Sequence, residues 1–170
     1  MPDSASSPVY LVDAESDPVV IRVEGRASFQ NSGCLRDFVT EMLQQGRARF
    51  VLDFGNCTGM DSTFLGVVAG AAIELRNPAT HGSLVAARVG QRNLELIRSL
   101  GLHRLLTVEA EGNAPKIDQC RTALGCAPGS ELENARMVLE AHENLVTADE
   151  ANRAKFQDVL AFLRNRVGQK

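Results

Sequence analysis

The stretch from Phe64 to Ile73, FLGVVAGAAI, carries no charged residue. Continued to residue 76 it reads as a helix that is apolar almost all round, and such a helix has to be buried. Gly66 and Gly70, four apart, share one side of it. Glycine costs about 1 kcal/mol in a helix interior, so the pair is expected where a neighbour comes close. The run holds two glycines and is too short to span a bilayer. It is the most buried helix of a soluble fold.

The surrounding patterns supply the rest of the core. Val9 and Leu11, then Val19, Ile21 and Val23, alternate with period two around the turn AESDP, which predicts two strands. Leu35, Phe38, Val39, Met42 and Leu43 form one helical stripe over 32–45, with Ser32 expected as its cap and Gly46 as its C-terminal stop. RFVLDFG (49–55) is a strand, CTGMD a loop, 62–76 the apolar helix and SLVAARV (83–89) a further strand. A helix follows over 91–100, with Leu94, Ile97 and Leu100 or Gly101 facing in, and RLLTVEA gives a last strand. The order β-β-α-β-α-β-α-β predicts an α/β domain with a mixed four- to five-stranded sheet covered by helices.

Residues 1–8 are rich in Ser and Pro and read as a disordered N-terminus, 9–110 as the α/β domain and 111–130 as a connector. Residues 131–170 read as a helical C-terminal extension. Val138, Ala141 and Leu145 share one face there, and Phe156, Val159, Leu160, Leu163 and Val167 a second. The stripe from Phe156 to Val167 is expected to be buried on the domain, on its neighbour helix, or in a homodimer.

The formal net charge of −3 and the scattered basic residues argue against nucleic-acid binding. MPDSASSPVY lacks the form of a signal peptide; together with the absence of a spanning segment this predicts a cytoplasmic protein with no membrane insertion. Cys34, Cys57, Cys120 and Cys126 form no CxxC pair, and His81, His103 and His142 are scattered. The expectation is therefore no metal site, no cofactor, and reduced, mostly buried thiols. DFG at 53–55 stands without the other kinase motifs, no phosphate-binding glycine loop or GxSxG elbow occurs, and Glu109 with Glu111 reads as a solvated pair. No catalytic constellation emerges, so the protein reads as a non-enzyme.

What remains is Asp61-Ser62-Thr63, directly before the apolar helix. One such residue suffices for an N-cap, and a surplus hydroxyl can point outward. Phosphorylation there would add about −1.5 to −2 charge. A helix N-terminus tolerates that charge, at roughly 0.3–1 kcal/mol of benefit. The modification would change binding rather than fold.

VLDFGNCTGMDSTFLGVV, straddling a strand and the apolar helix, resembles the STAS family, the sulfate-transporter and anti-sigma-factor-antagonist domains, in its anti-sigma-factor antagonist type. The resemblance covers about 9–110. Asp53 matches the family's strand-end Asp, Asp61-Ser62 its phosphorylatable pair, Leu65-Gly66 its Leu-Gly step, and VEGRAS (23–28) the segment before its first helix. The resemblance implies a phosphoprotein acting in signal transduction and transcription regulation by partner switching. Ser62 is the implied phosphoacceptor, with Thr63 the alternative, in an environment of Asp53, Asp61 and Gly66. The implied partners are an anti-sigma factor that is also a serine protein kinase, and a phosphatase. Arg26, Ser28 and Phe64 are expected on the docking face. Two residues depart from the family pattern. Gly55 replaces a Ser or Thr, and Phe64 replaces a Gly, where its bulk is expected to reshape the partner surface. Two alternatives stand beside this reading: a scaffold or oligomerisation module in which Ser62 is only a cap, and a STAS subunit of a transporter.

Overall fold

The computed structural model describes residues 9–109 and 122–168. The expected disordered start at 1–8 and the first part of the connector, 111–121, lie outside the described residues. Six strands form one sheet: β1 (Tyr10–Asp13), β2 (Val19–Ala27), β3 (Arg49–Met60), β4 (Ser83–Ala87), β5 (Thr107–Val108) and β6 (Thr122–Ala123). Their spatial order is β5-β4-β3-β2-β1-β6. β2, β3, β4 and β5 pair in parallel, while β1 runs antiparallel to β2 and to β6. The sixth strand comes from the connector, where Pro and Gly hid a two-residue pairing of Leu11 with Ala123 and Val12 with Thr122.

Strand parity sorts the two faces of the sheet. Tyr10, Val12, Val19, Ile21, Val23, Phe50, Leu52, Phe54, Leu84 and Ala86 enter the main core. Their alternates Leu11, Val20, Val51, Val85 and Ala87 form a separate small cluster on the opposite face. The core is closed by α1 (Phe29–Gln44), α2 (Ser62–Leu75) and α3 (Gln91–Ser99), and by α4 (Glu131–Ala148) with α5 (Asn152–Gly168).

α1 buries Leu35, Phe38, Val39 and Met42. It starts four residues before the expected Ser32. Ser28 is its N-cap and forms a capping box with Asn31; Ser32 instead lies inside the helix, fully buried, donating to the Ser28 carbonyl at 2.6 Å. Gly46, at φ +85°, takes the left-handed stop. β3 runs on to Met60, where a loop was expected, because β2 continues beside it past two register shifts as far as Ala27. The long β2–β3 pair thus carries the chain directly to the start of α2.

α2 is the buried helix: Thr63 to Ala69, Ala72 and Leu75 are all buried. Its outer side is covered by α4. A Cβ on Gly66 would fall on the backbone carbonyl of Ala141, and one on Gly70 would meet the side-chain amide of Asn144. The two glycines are the seat of α4. In α5, Leu160 and Leu163 are buried and Phe156 is half-buried, but Val159 is 40% and Phe162 65% exposed, so the Phe156–Val167 stripe is covered only in part. A disulfide joins Cys34 of α1 to Cys126, four residues before the α4 cap Ser130; Cys57 is free. The expectation of reduced thiols is corrected for this pair. The two cysteines are 92 positions apart, and only the fold brings their Cα atoms to 5.1 Å.

No helix among the described residues is long and apolar enough to cross a membrane.

Candidate functional site

The site is built where β2 and β3 end and α1 and α2 begin. Asp61 leaves β3 in extended conformation (φ −107°, ψ 175°) and caps α2, its Oδ1 accepting from the Phe64 amide at 2.9 Å. Its Oδ2 accepts from the Phe29 amide, the first of α1, at 2.8 Å. One carboxylate therefore serves free N–H groups at two helix starts. The Asp61 amide donates to the Ala27 carbonyl at 3.1 Å, which ties the turn back to the end of β2.

Ser62 is the first residue of α2, and its Oγ lies 2.9 Å from Nε2 of His142 on α4. The other ring nitrogen, Nδ1, is 2.7 Å from the Val138 carbonyl. A carbonyl only accepts, so Nδ1 carries the proton, Nε2 is the acceptor, and the Ser62 hydroxyl donates. His142 is 3% exposed, and its ring packs edge-on to Phe156 of α5 at 5.0 Å between centroids. This is the geometry in which a base holds a hydroxyl. Neither Ser62 nor His142 lines any of four cavities found among the described residues.

The other expected residues fall into separate groups. Thr63 is 5% exposed and faces inward. Arg26 is exposed and pairs in register with Gly59, at the end of the sheet that bears Ser62. Ser28 is engaged in its capping box, and exposed Phe29 (46%) follows it. Phe64 is fully buried, its ring edge-on to Phe54 at 6.2 Å. Its expected place on the partner surface is corrected: the extra bulk fills the core. Gly66 is occupied by α4 rather than open.

Asp53 lies apart from Ser62. Parity puts it on the opposite face from Phe50, Leu52 and Phe54, where its carboxylate is wholly inaccessible and holds the Arg88 guanidinium through two bonds of 2.8 Å. The Gly55 amide also donates to it, at 3.0 Å. A Cβ on Gly55 would run into the same guanidinium, which accounts for glycine at this position.

His142, Arg88 and Asn144, whose Nδ2 donates to the Gly66 carbonyl at 3.2 Å, were not picked out by sequence reasoning. The available signal for His142 was a titratable side chain placed beside Ala141 on the apolar stripe of its helix. Tyr10 is buried below the site, its hydroxyl donating to Asn31 Oδ1 at 3.0 Å. Burial, and then the nearby Cys57 and Asp61, push its phenol far up from the ordinary value. Burial likewise raises the Cys57 thiol. Among the described residues, no group of three or more His, Cys, Asp or Glu is placed to hold a metal ion.

No curated protein matches the chain. Among solved structures, the anti-sigma factor antagonist SpoIIAA in its unphosphorylated form is similar at 19% identity and TM-score 0.51, the match covering 63% of this chain and 90% of that one. The Bacillus cell fate determinant SpoIIAA in its phosphorylated form is similar at 21% identity and TM-score 0.50, covering 60% and 92%. At these identities the likeness is one of fold. The family described as "Mlab, STAS domain" matches residues 10–107, so α4 and α5 lie beyond the matched segment. With more than half its length in that match, the chain belongs to the STAS domain family.

Proposed function

We propose that the protein is a regulatory STAS module of the anti-sigma-factor antagonist type, and that phosphorylation of Ser62 switches its binding to an anti-sigma factor that is also a serine kinase. The observation that carries the reading is the seat of Ser62: the first residue of a buried helix, beside a carboxylate that holds both helix starts. A phosphate there meets the positive end of the α2 dipole, and the group it must displace is His142 of α4 rather than a residue of the sheet. Exposed Arg26 and Phe29 lie at the same end of the domain and supply a contact surface around it. Two of the similar structures are of an antagonist in its unphosphorylated and phosphorylated forms. The protein acts by binding and has no chemistry of its own; a phosphatase resets it, and the setting is the cytoplasm.

The test is a pull-down from the source cells with wild type, Ser62→Ala and Ser62→Asp, together with mass spectrometry of Ser62. The expected result is a kinase-type partner retained by wild type and Ser62→Ala and lost by Ser62→Asp, with phosphate on Ser62. Equal retention by all three would overturn the switch.

A second reading, a homodimer or scaffold held by the C-terminal helices, is favoured by Phe162, 65% exposed on α5. Sedimentation of wild type and Phe162→Ser decides it: a dimer that dissociates in the variant supports it, and a monomer in both removes it.

A further inference from the structure

The chain partly covers its own candidate phosphorylation site: Ser62 is half-buried, and its hydroxyl faces α4. A seryl oxygen must come within roughly 3–3.5 Å of a phosphorus atom, in line with the leaving group. Beside Ser62 Oγ that distance is taken by the imidazole of His142, which is buried and backed by Phe156. The hydroxyl proton that a kinase would remove is already donated to Nε2.

The cover is held at three places. Over α2, Ala141 lies on the bare backbone of Gly66, and Asn144 bonds the Gly66 carbonyl. At the α4–α5 turn, the fully buried Asn152 donates to the carbonyls of Leu100 and Leu145 at 2.9 and 2.7 Å, which anchors the turn to the domain. At the far end, the Cys34–Cys126 disulfide ties the approach to α4 to α1. Beside the α2 contact, an open groove of about 530 Å³ runs along α4, α1 and α2, lined in part by Val39, Leu43, Val67 and Met137.

We propose that α4 and α5 are a hinged cover that closes Ser62 to its kinase, anchored at the turn and latched by the Cys34–Cys126 disulfide. The proposal rests on the phosphorylation reading above for its purpose but not for its structure. Opening begins with a dithiol reductant. One thiolate attacks the exposed Cys126 sulfur and displaces the Cys34 thiolate, which takes up a proton. The second thiol of the reductant then resolves the mixed disulfide. The reductant leaves as its own disulfide and both protein cysteines end as thiols. Freed of the latch, α4 lifts from Gly66, and the Ser62 hydroxyl loses its acceptor.

Hydrogen exchange of the full chain, read by mass spectrometry, tests the cover without any kinase. In dithiothreitol, peptides from α4 and α5 should exchange about tenfold faster than in the oxidised protein, with β2 and β3 unchanged. Ala141→Leu, which wedges α4 from Gly66, should do the same without reductant. No response to dithiothreitol overturns the latch, and no response to Ala141→Leu overturns the cover. Should Ala141→Leu also speed exchange in β2 and β3, His142→Ala replaces it, and unchanged α4–α5 exchange in that variant overturns the cover. In the source cells, Cys126→Ser should raise phosphate occupancy at Ser62 several-fold. Equal, non-zero occupancy in the two chains counts against the proposal. Absence of phosphate from both sinks the phosphorylation reading instead and leaves the cover to the exchange result.

Discussion

Asp61 Oδ2 accepts a hydrogen bond from the Phe29 amide at 2.8 Å, across 32 residues, while its other oxygen caps α2. The starts of α1 and α2 therefore cannot move independently. Asp61→Ala removes a cap and a charged hydrogen bond together and should cost about 2–3 kcal/mol. Asp61→Ser restores the cap but does not reach Phe29, and should recover roughly 1 kcal/mol of that. Urea denaturation of the three proteins gives the order; equal stability of Ala and Ser variants would show that the Phe29 bond and the cap are not separate contributions.

Gly66 and Gly70 should respond differently to the same substitution. Alanine improves helix propensity by about 1 kcal/mol at either position. At Gly66 the new methyl meets the Ala141 backbone, which cannot step aside without lifting α4. Gly66→Ala is expected to be about 1–2 kcal/mol less stable than wild type. At Gly70 the obstacle is the end of the Asn144 side chain, which can rotate away. Gly70→Ala should fall within about 0.5 kcal/mol of wild type. Thermal melts of the pair check the contrast.

The Asp53–Arg88 pair is asymmetric. Asp53 is wholly inaccessible, whereas the Arg88 side chain is 29% exposed. Arg88→Met strands a buried carboxylate and should cost about 3–5 kcal/mol. Asp53→Ala leaves a guanidinium that can turn toward water and should cost clearly less. The reverse order in chemical denaturation would mean that Arg88 depends on Asp53 more than its exposure indicates.

Tyr10 is the only tyrosine, and the chain has no tryptophan, so absorbance near 295 nm reports this phenol alone. Burial raises its folded-state pKa. The unfolded phenol ionises near its ordinary value of about 10. The contribution to stability is therefore complete below about pH 10, and above it is lost at up to about 1.4 kcal/mol per pH unit, as the unfolded state alone releases the proton. Tyrosinate should be missing at about pH 10–11 and should emerge together with alkaline unfolding. A normal titration in protein that remains folded by circular dichroism would refute the burial.

Much of this was legible in local patterns. Period-two alternation placed Val19, Ile21 and Val23 on the core face, and 3.6-residue spacing placed Leu35, Phe38, Val39 and Met42 there. The glycine pair announced a close neighbour without naming it. What stayed hidden depends on partners remote in sequence. The Ser62–His142 bond spans 80 residues and the disulfide 92. A helical stripe says that a face is buried, never against what. Phe64 shows the same limit. The family pattern placed it beside the docking loop, but the first turn of α2 aims it down at Phe54. β3 outran its expected end because pairing with β2, rather than propensity in NCTGM, keeps that segment extended.

The distance in sequence between Ser62 and His142 also sets an order in time. On a growing chain, the hydroxyl is made 80 residues before the ring that covers it. At about 5–20 residues per second, synthesis leaves an interval on the order of 4–16 seconds. Every molecule therefore passes, once, through a stage in which Ser62 exists without its cover. An enzyme working on nascent chains meets a different protein from one that arrives after release.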